Sequence, residues 1–384
     1  MNVPKLRFKE FTNDWKEYIL NNQSDVRDGT HDSPKYIDYG FPLITSKNLK
    51  DNGTLDLENV NYLNKEDFDK INLRSKVDIG DILFGMIGTI GKPVRVNRND
   101  FAIKNVALIK EKGLIKNDYL IHYLQTTSIK KQFANNMDGG TQKFIALEKI
   151  RKLKISQPNR DEQLKLVNMF NLLDKKIELQ SQKIEALKLY KICIKNIIFN
   201  DEKYTKTKLK YILKKWNEKN KNNKYDYVES VSNKHGFISQ NEQFEDRNVA
   251  SKDKSNYYII RKNVFAYNPS RLDVGSLALK DNDLISLVSP LYECFTTDQN
   301  VYFMLEWFNS NEFKKGTFSK FEGGVRNTLN FTNLCEINIS LPSIIEQDKI
   351  ANILMTFNNK LIYENLKLEK LKNLKRGLMQ NMFV

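Results

Sequence analysis

Cysteine and histidine are scarce in this chain. Its 384 residues hold three of each: Cys193, Cys294 and Cys335, and His31, His122 and His235. The cysteines are odd in number and far apart, which excludes a disulfide framework and a paired-cysteine zinc site. None of the histidines has a second ligand-type residue at a metal-site spacing. Long apolar runs are missing as well. No stretch approaches the ~18 apolar residues of a membrane helix, and Met1-Asn2-Val3-Pro4-Lys5 is not followed by an apolar signal core. A cytoplasmic protein with free thiols and no membrane partner is expected.

Catalytic motifs are also lacking: no P-loop, nucleophile elbow or zincin pattern occurs. Three segments come near such motifs. Gly85, Gly88 and Gly91 follow a strand-like run, but Lys92-Pro93-Val94 then reads as turn and strand, where a dinucleotide loop would open a helix. Asn268-Pro269-Ser270-Arg271 begins like the motif of amino-methylating enzymes. Ser270 and Arg271 stand where that chemistry needs proline and an aromatic. Glu312-Phe313-Lys314, with Asp298 upstream, has the spacing of a nuclease site but falls in a helix-like segment. No residue of this chain is therefore expected to catalyse, to hold a cofactor or to bind a metal. A stand-alone methyltransferase or nuclease is the weaker alternative, and a basic nucleic-acid-binding adaptor is another.

What the chain has is a repeat. Residues 138–199 lie over 322–383 at a constant offset of 184 without a gap. Gly139-Gly140 meets Gly323-Gly324, Pro158 meets Pro342, and Glu162-Gln163 meets Glu346-Gln347. Such self-similarity predicts two similar arms. The chain is also basic, with a formal net charge of +15. Residues 161–200 and 345–384 carry +2 and +3 of it, so +10 lies elsewhere. A polyanionic partner fits that distribution, although a composition rich in lysine and asparagine raises the charge by itself.

Each copy of the repeat ends in a long helical pattern. The first has apolar positions at Phe170, Leu173, Ile177, Ile184, Leu187, Ile194 and Ile198; the second at Leu354, Phe357, Leu361, Leu368, Leu371, Leu378 and Met382. Gln180 and Lys191 interrupt the first stripe, and Glu364 and Lys375 the second at the same heptad places. Heptad spacing predicts that the two helices pair as a coiled coil, antiparallel, with polar residues fixing register. The alternative is that each packs only on its own globular domain. A helix of ~39 residues spans ~58 Å, a ruler many base pairs long.

The globular parts read as mixed. Asp81–Phe84, Val94–Val96 and Val106–Ile109 look like strands. Tyr119–Phe133 and Phe303–Thr317 each look like one helix, and Lys214–Lys224 like an exposed loop. Donors and acceptors suited to DNA cluster in turn-like segments of both arms. In the first arm they are Arg27, Thr30, His31, Ser46, Lys47, Asn48, Thr89 and Lys143. In the second they are Asn268, Ser270, Arg271, Arg326 and Asn327.

The chain resembles the specificity subunit of a type I restriction-modification system. The resemblance rests on Pro4-Lys5-Leu6-Arg7-Phe8 with Trp15-Lys16, Asp28-Gly29-Thr30-His31-Asp32-Ser33, Ser46-Lys47-Asn48, Gly80-Asp81-Ile82-Leu83 with Gly88-Thr89-Ile90-Gly91, Tyr267 to Arg271, and the twice-written proline to Glu-Gln junction. It implies an α+β fold: two pseudo-repeated α/β target-recognition domains, 1–160 and 201–344, separated by two long antiparallel coiled-coil helices, 161–200 and 345–384. It implies double-stranded DNA read as a bipartite target, one half-site per domain. Two methyltransferase subunits would dock on the helices, and restriction subunits would join the full complex. S-adenosylmethionine, ATP and magnesium would reside on those partners.

Overall fold

The computed structural model describes residues 3–134, 144–233, 235–239, 253–272, 275–318, 320–321 and 328–384. The chain divides into two units, Met1–Gln180 with Lys367–Val384 and Ser181–Leu366.

In unit 1, β1 (Lys16–Ile19) pairs antiparallel with β9 (Lys154–Gln157). A four-stranded antiparallel sheet has the order β2 (Ser24–Asp28), β8 (Val106–Glu111), β5 (Ile82–Gly85), β6 (Gly91–Arg95). A smaller sheet joins β3 (Phe41–Ile44) to β4 (Asn61–Leu63) and, in parallel, to β7 (Ala102–Ile103). The central strand β5 is apolar on both faces because both are covered. Ile82 and Phe84 enter one core with Ala107, Ile109, Tyr119 and Phe170, while Leu83 points the other way, to Val94, Val106 and Leu108. Around these strands lie α1 (Leu20–Gln23), α2 (Lys65–Ser75), α3 (Asn117–Tyr123), α4 (Thr127–Ala134) and α5 (Leu147–Arg151).

Unit 2 repeats the plan. β10 (Thr205–Lys208) pairs with β19 (Asn338–Leu341). A four-stranded sheet runs β11 (Leu213–Lys215), β18 (Glu293–Thr297), β15 (Phe265–Tyr267), β16 (Leu277–Leu279), strand for strand the order of unit 1. Its two faces divide likewise: Phe265, Tyr267 and Phe295 on one side, Ala266, Ala278 and Cys294 on the other. Two further pairs, β12 (Glu229–Ser232) with β13 (Gly236–Ser239) and β14 (Tyr258–Ile260) with β17 (Ser286–Val288), replace the three-stranded sheet of unit 1. The helices are α7 (Val301–Phe308), α8 (Asn311–Phe318) and α9 (Phe331–Cys335).

Two expectations are corrected. Tyr119–Phe133 and Phe303–Thr317 are each two short helices. The break falls at Thr126 and at Ser310, the same place in the repeat, where the hydroxyl accepts from the backbone N–H of Ile129 and of Phe313 and so starts a second helix. Lys214–Lys224 is not simply an exposed loop. Lys214 and Lys215 belong to edge strand β11, their side chains outward, and Asn220 is buried, its amide donating to the carbonyls of Tyr225 and Lys254.

The long helices are α6 (Arg160–Phe199) and α10 (Ile344–Asn381). In unit 1 the Phe170 and Phe383 rings lie 5.4 Å apart and Lys375 Nζ lies 2.6 Å from Asp174. In unit 2 Lys183 pairs with Glu364, and Lys191 Nζ donates to Asn358 Oδ1 at 2.6 Å. Numbers rising along one helix meet numbers falling along the other, so the helices run antiparallel in both units. The stripe residues face inward. In unit 1 Phe170 and Leu173 are buried and Ile177, Leu368, Leu371 and Leu378 half-buried; in unit 2 Ile184 and Leu354 are buried and Leu187, Ile194, Phe357 and Leu361 half-buried. Each helix also packs on the globular part of its unit, through Leu166, Val167 and Phe170 in one and Ile350, Ala351 and Leu354 in the other.

Candidate nucleic-acid interface

In unit 1, the segments that leave β2, β3, β5 and β7 converge. Strand β2 ends at buried Asp28, and Gly29 follows with no room for a side chain, since a Cβ there would stand 2.3 Å from the Ile103 carbonyl oxygen. Thr30 then exchanges backbone hydrogen bonds with Ile103 and Asn105, at 3.0 and 3.1 Å. Asn105 turns the chain with φ +55°, a conformation asparagine tolerates better than most residues. Ser46 joins the other loops to this turn: its Oγ donates to the Asn105 carbonyl at 3.1 Å and accepts from the Met86 N–H at 3.2 Å. Thr30 and His31, Lys47, and Thr89 thus come from three separate segments into one loop cluster, Lys47 exposed and Thr89 half-buried.

His31 is held from two sides, by Asn105 Oδ1 on Nδ1 at 2.6 Å and by Asp28 Oδ2 on Nε2 at 2.8 Å. These contacts raise its pKa above 6.5, Asn105 more than Asp28, against a smaller opposing effect of burial and of Arg74. Arg74, from the last turn of α2, reaches the other oxygen of Asp28. Arg27 clasps Asp25 at 2.9 and 2.6 Å and donates to the Arg74 carbonyl at 3.2 Å, which fixes its guanidinium at the surface of β2. That contact raises the Arg27 pKa and lowers that of Asp25.

Asn48 departs from the expectation of a base-reading residue. It is buried, its Oδ1 accepts from Thr45 N and Oγ1 at 2.9 and 2.8 Å, and its Nδ2 donates to the carbonyls of Asp56 and Asn59 at 3.3 and 2.9 Å. Every amide valence serves the loop itself, so none is left for a ligand. Ser46 is likewise buried and committed.

In unit 2, the β15–β16 connection is the counterpart of the β5–β6 loop that carries Thr89. Asn268 opens it as a cap, its Oδ1 accepting from Ser270 N at 3.0 Å, and Ser270 and Arg271 stand exposed on the turn that follows. Beneath, the fully buried Lys280 pairs with buried Glu229 and lies 5.5 Å from the Phe237 ring, tying the β12–β13 hairpin to the end of β16. Lys143, Arg326 and Asn327 lie outside the described residues, as do both Gly-Gly pairs of the repeat. Sequence reasoning missed Arg74, Asn105, Lys280 and Glu229, and has Asp28 only as part of a motif, without its role. Asp28 and Arg74 are 46 residues apart and no local pattern links them.

These loops offer cations and hydrogen-bonding groups on a rigid sheet frame. Among the described residues, no group of three or more His, Cys, Asp or Glu could hold a metal ion, and no helix is long and apolar enough to cross a membrane. The sequence matches the type I restriction modification DNA specificity domain twice, over residues 14–189 and 202–373. No curated protein matches it significantly. Among solved structures, the fold is similar to that of a type I restriction-modification S subunit from M. genitalium, with a TM-score of 0.59 at 15% identity, covering 100% of this chain and 99% of that one. A protein from a study of complex assembly and conformational transition in the type I R-M system has a TM-score of 0.56 at 13% identity, covering 96% and 97%. Two copies of the domain, on a sheet plan written twice, show that this chain belongs to the type I restriction-modification DNA specificity family, a non-catalytic specificity subunit.

Proposed function

We propose that the chain reads a bipartite duplex DNA target, the loops of each unit contacting one half-site, while the long helices carry two methyltransferase subunits. The observation that carries this reading is the duplicated sheet. The same strand order presents a corresponding hairpin loop in both units, yet the loops differ: Met86–Ile90 in one, Asn268–Ser276 in the other. A conserved frame with divergent loops suits two separate base sequences. Surface lysines would supply phosphate contacts and a steep salt dependence.

The helices support docking. Leu172 and Leu179 on α6 in unit 1, and Tyr190, Ile197, Ile362 and Tyr363 in unit 2, are more than half exposed although their helices already bury an inner stripe. Apolar side chains left outside a paired helix fit a protein partner. In the full assembly restriction subunits would join, S-adenosylmethionine, ATP and magnesium would sit on the partners, and the complex would act in the cytoplasm. The methyl-acceptor base would be flipped into a partner's pocket.

Replacing residues 201–344 by the corresponding part of another family member tests the division of labour. Methylation by the chimera with its partner should retain one half of the target and change the other. A change in both halves would contradict one unit per half-site.

A further inference from the structure

Both ring nitrogens of His31 face oxygen acceptors, Asn105 Oδ1 and Asp28 Oδ2. A neutral imidazole has one N–H and satisfies only one of them; the imidazolium satisfies both. Once both are engaged, no N–H is left for a base edge, yet the ring remains 56% exposed. His31 can therefore present charge to DNA but cannot read sequence by hydrogen bonding. The charges that face it are Asp28 from β2 and Arg74 from α2, which pair with each other and offset. Asn105 is neutral, so the charge that the group presents is that of His31. The ring also ties the segment after β2 to the turn after β7, beside Lys104, whose ammonium holds Ser33 at 2.9 Å.

We propose that protonated His31 sets its positive charge against a DNA phosphate in the half-site of unit 1, and that losing its proton removes this attraction and unclips the loop. The inference rests on the DNA-reading function proposed above. The raised pKa of His31 agrees with it, because the clip as built needs the cation. In a neutral ring one nitrogen lone pair would oppose an oxygen, unless the Asn105 amide turned over.

The test is duplex binding by the chain in complex with its co-expressed methyltransferase, using DNA that carries the target found by methylation mapping. The slope of log affinity against log salt would be measured from pH 5.5 to 8.5. One lost phosphate contact lowers that slope by ~0.9, which is about a 3.5-fold difference in affinity change between 50 and 200 mM salt. The expected result is such a drop in the native protein as pH rises. H31K should hold the slope high throughout, and H31Q low throughout. N105D, which forces an acceptor on Nδ1, should move the midpoint to higher pH. A native slope that ignores pH, or one that H31Q leaves unchanged, would overturn the role of His31 while leaving target reading intact. Absence of any preference for the target at every pH would instead overturn the DNA-reading function, and the inference with it.

Discussion

Two histidines of unit 1 link stability to pH in opposite directions. His122 is buried between α3 and α6, its Nε2 on Asn171 Oδ1 at 2.9 Å, with Asp174 3.9 Å from Nδ1. Burial lowers its pKa below 6.5, and Lys375 adds to that, against smaller opposing effects of Asn171, Asp174 and Asp118. The folded unit thus holds the ring neutral while the unfolded chain protonates it. Its contribution is intact above pH 6.5 and is lost as pH falls through the folded-state value. His31, raised, contributes fully below 6.5 and loses its contribution as pH rises through its own folded-state value. In thermal melts from pH 5 to 8, H122Q should flatten the acid limb that His122 gives unit 1. An unchanged acid limb in H122Q would contradict the assignment. At the equivalent repeat position, 184 residues on, unit 2 has Glu306, compensated by Lys191 at 2.9 Å and Lys195 at 3.0 Å. Burial alone would raise the Glu306 pKa, but the two ammonium groups outweigh it, while burial lowers that of Lys195. E306A removes the carboxylate that compensates buried Lys195 and half-buried Lys191, and should destabilise unit 2 by about 3–5 kcal/mol in denaturant melts. None of this was visible in sequence, because Glu306 is one charged residue in an otherwise apolar helix, His122 is one of several polar residues in α3, and their partners lie over a hundred residues or about fifty residues away.

Elements were legible where periodicity is long, and illegible where one polar side chain decides. The 40 residues of α6 announced themselves by a repeated stripe, and both proline junctions marked where such helices begin. Strands Ile82–Gly85 and Val106–Glu111 were legible because continuous apolar runs suit a sheet covered on both faces. The breaks at Thr126 and Ser310 were not, since a capping hydroxyl inside an apolar pattern resembles an ordinary helical position. The burial of Asn48 is illegible for a related reason: a polar residue in a turn has the same appearance whether it faces solvent or holds the loop from within. The loop cluster itself depends on close backbone approach. G29A would force a Cβ against the Ile103 carbonyl and should cost about 1–3 kcal/mol. It should also weaken binding at the half-site of unit 1 while sparing the other; full retention of affinity would show that the cluster does not touch DNA.

At the scale of the molecule, the repeat was the most informative feature, and the structure extends it beyond the 62 residues where sequences still align. The sheets of both units share one strand order although their loops and small flanking sheets differ. Sequence similarity survives in the helices because pairing constrains both partners at once, while loops are free to diverge. If the helices set the spacing of the half-sites, matched insertions of seven residues in α6 and α10 would preserve the heptad seam and add ~10 Å. The unread spacer of the target should then lengthen by about three base pairs at ~3.4 Å each, with both half-sites kept. The most direct measurement is methylation mapping across the genome of a host without systems of its own, with this chain co-expressed with a type I methyltransferase subunit. A new split motif with a fixed spacer should appear, present only when both proteins are made. Methylation by the partner alone, or a motif with no split, would contradict bipartite reading by this chain.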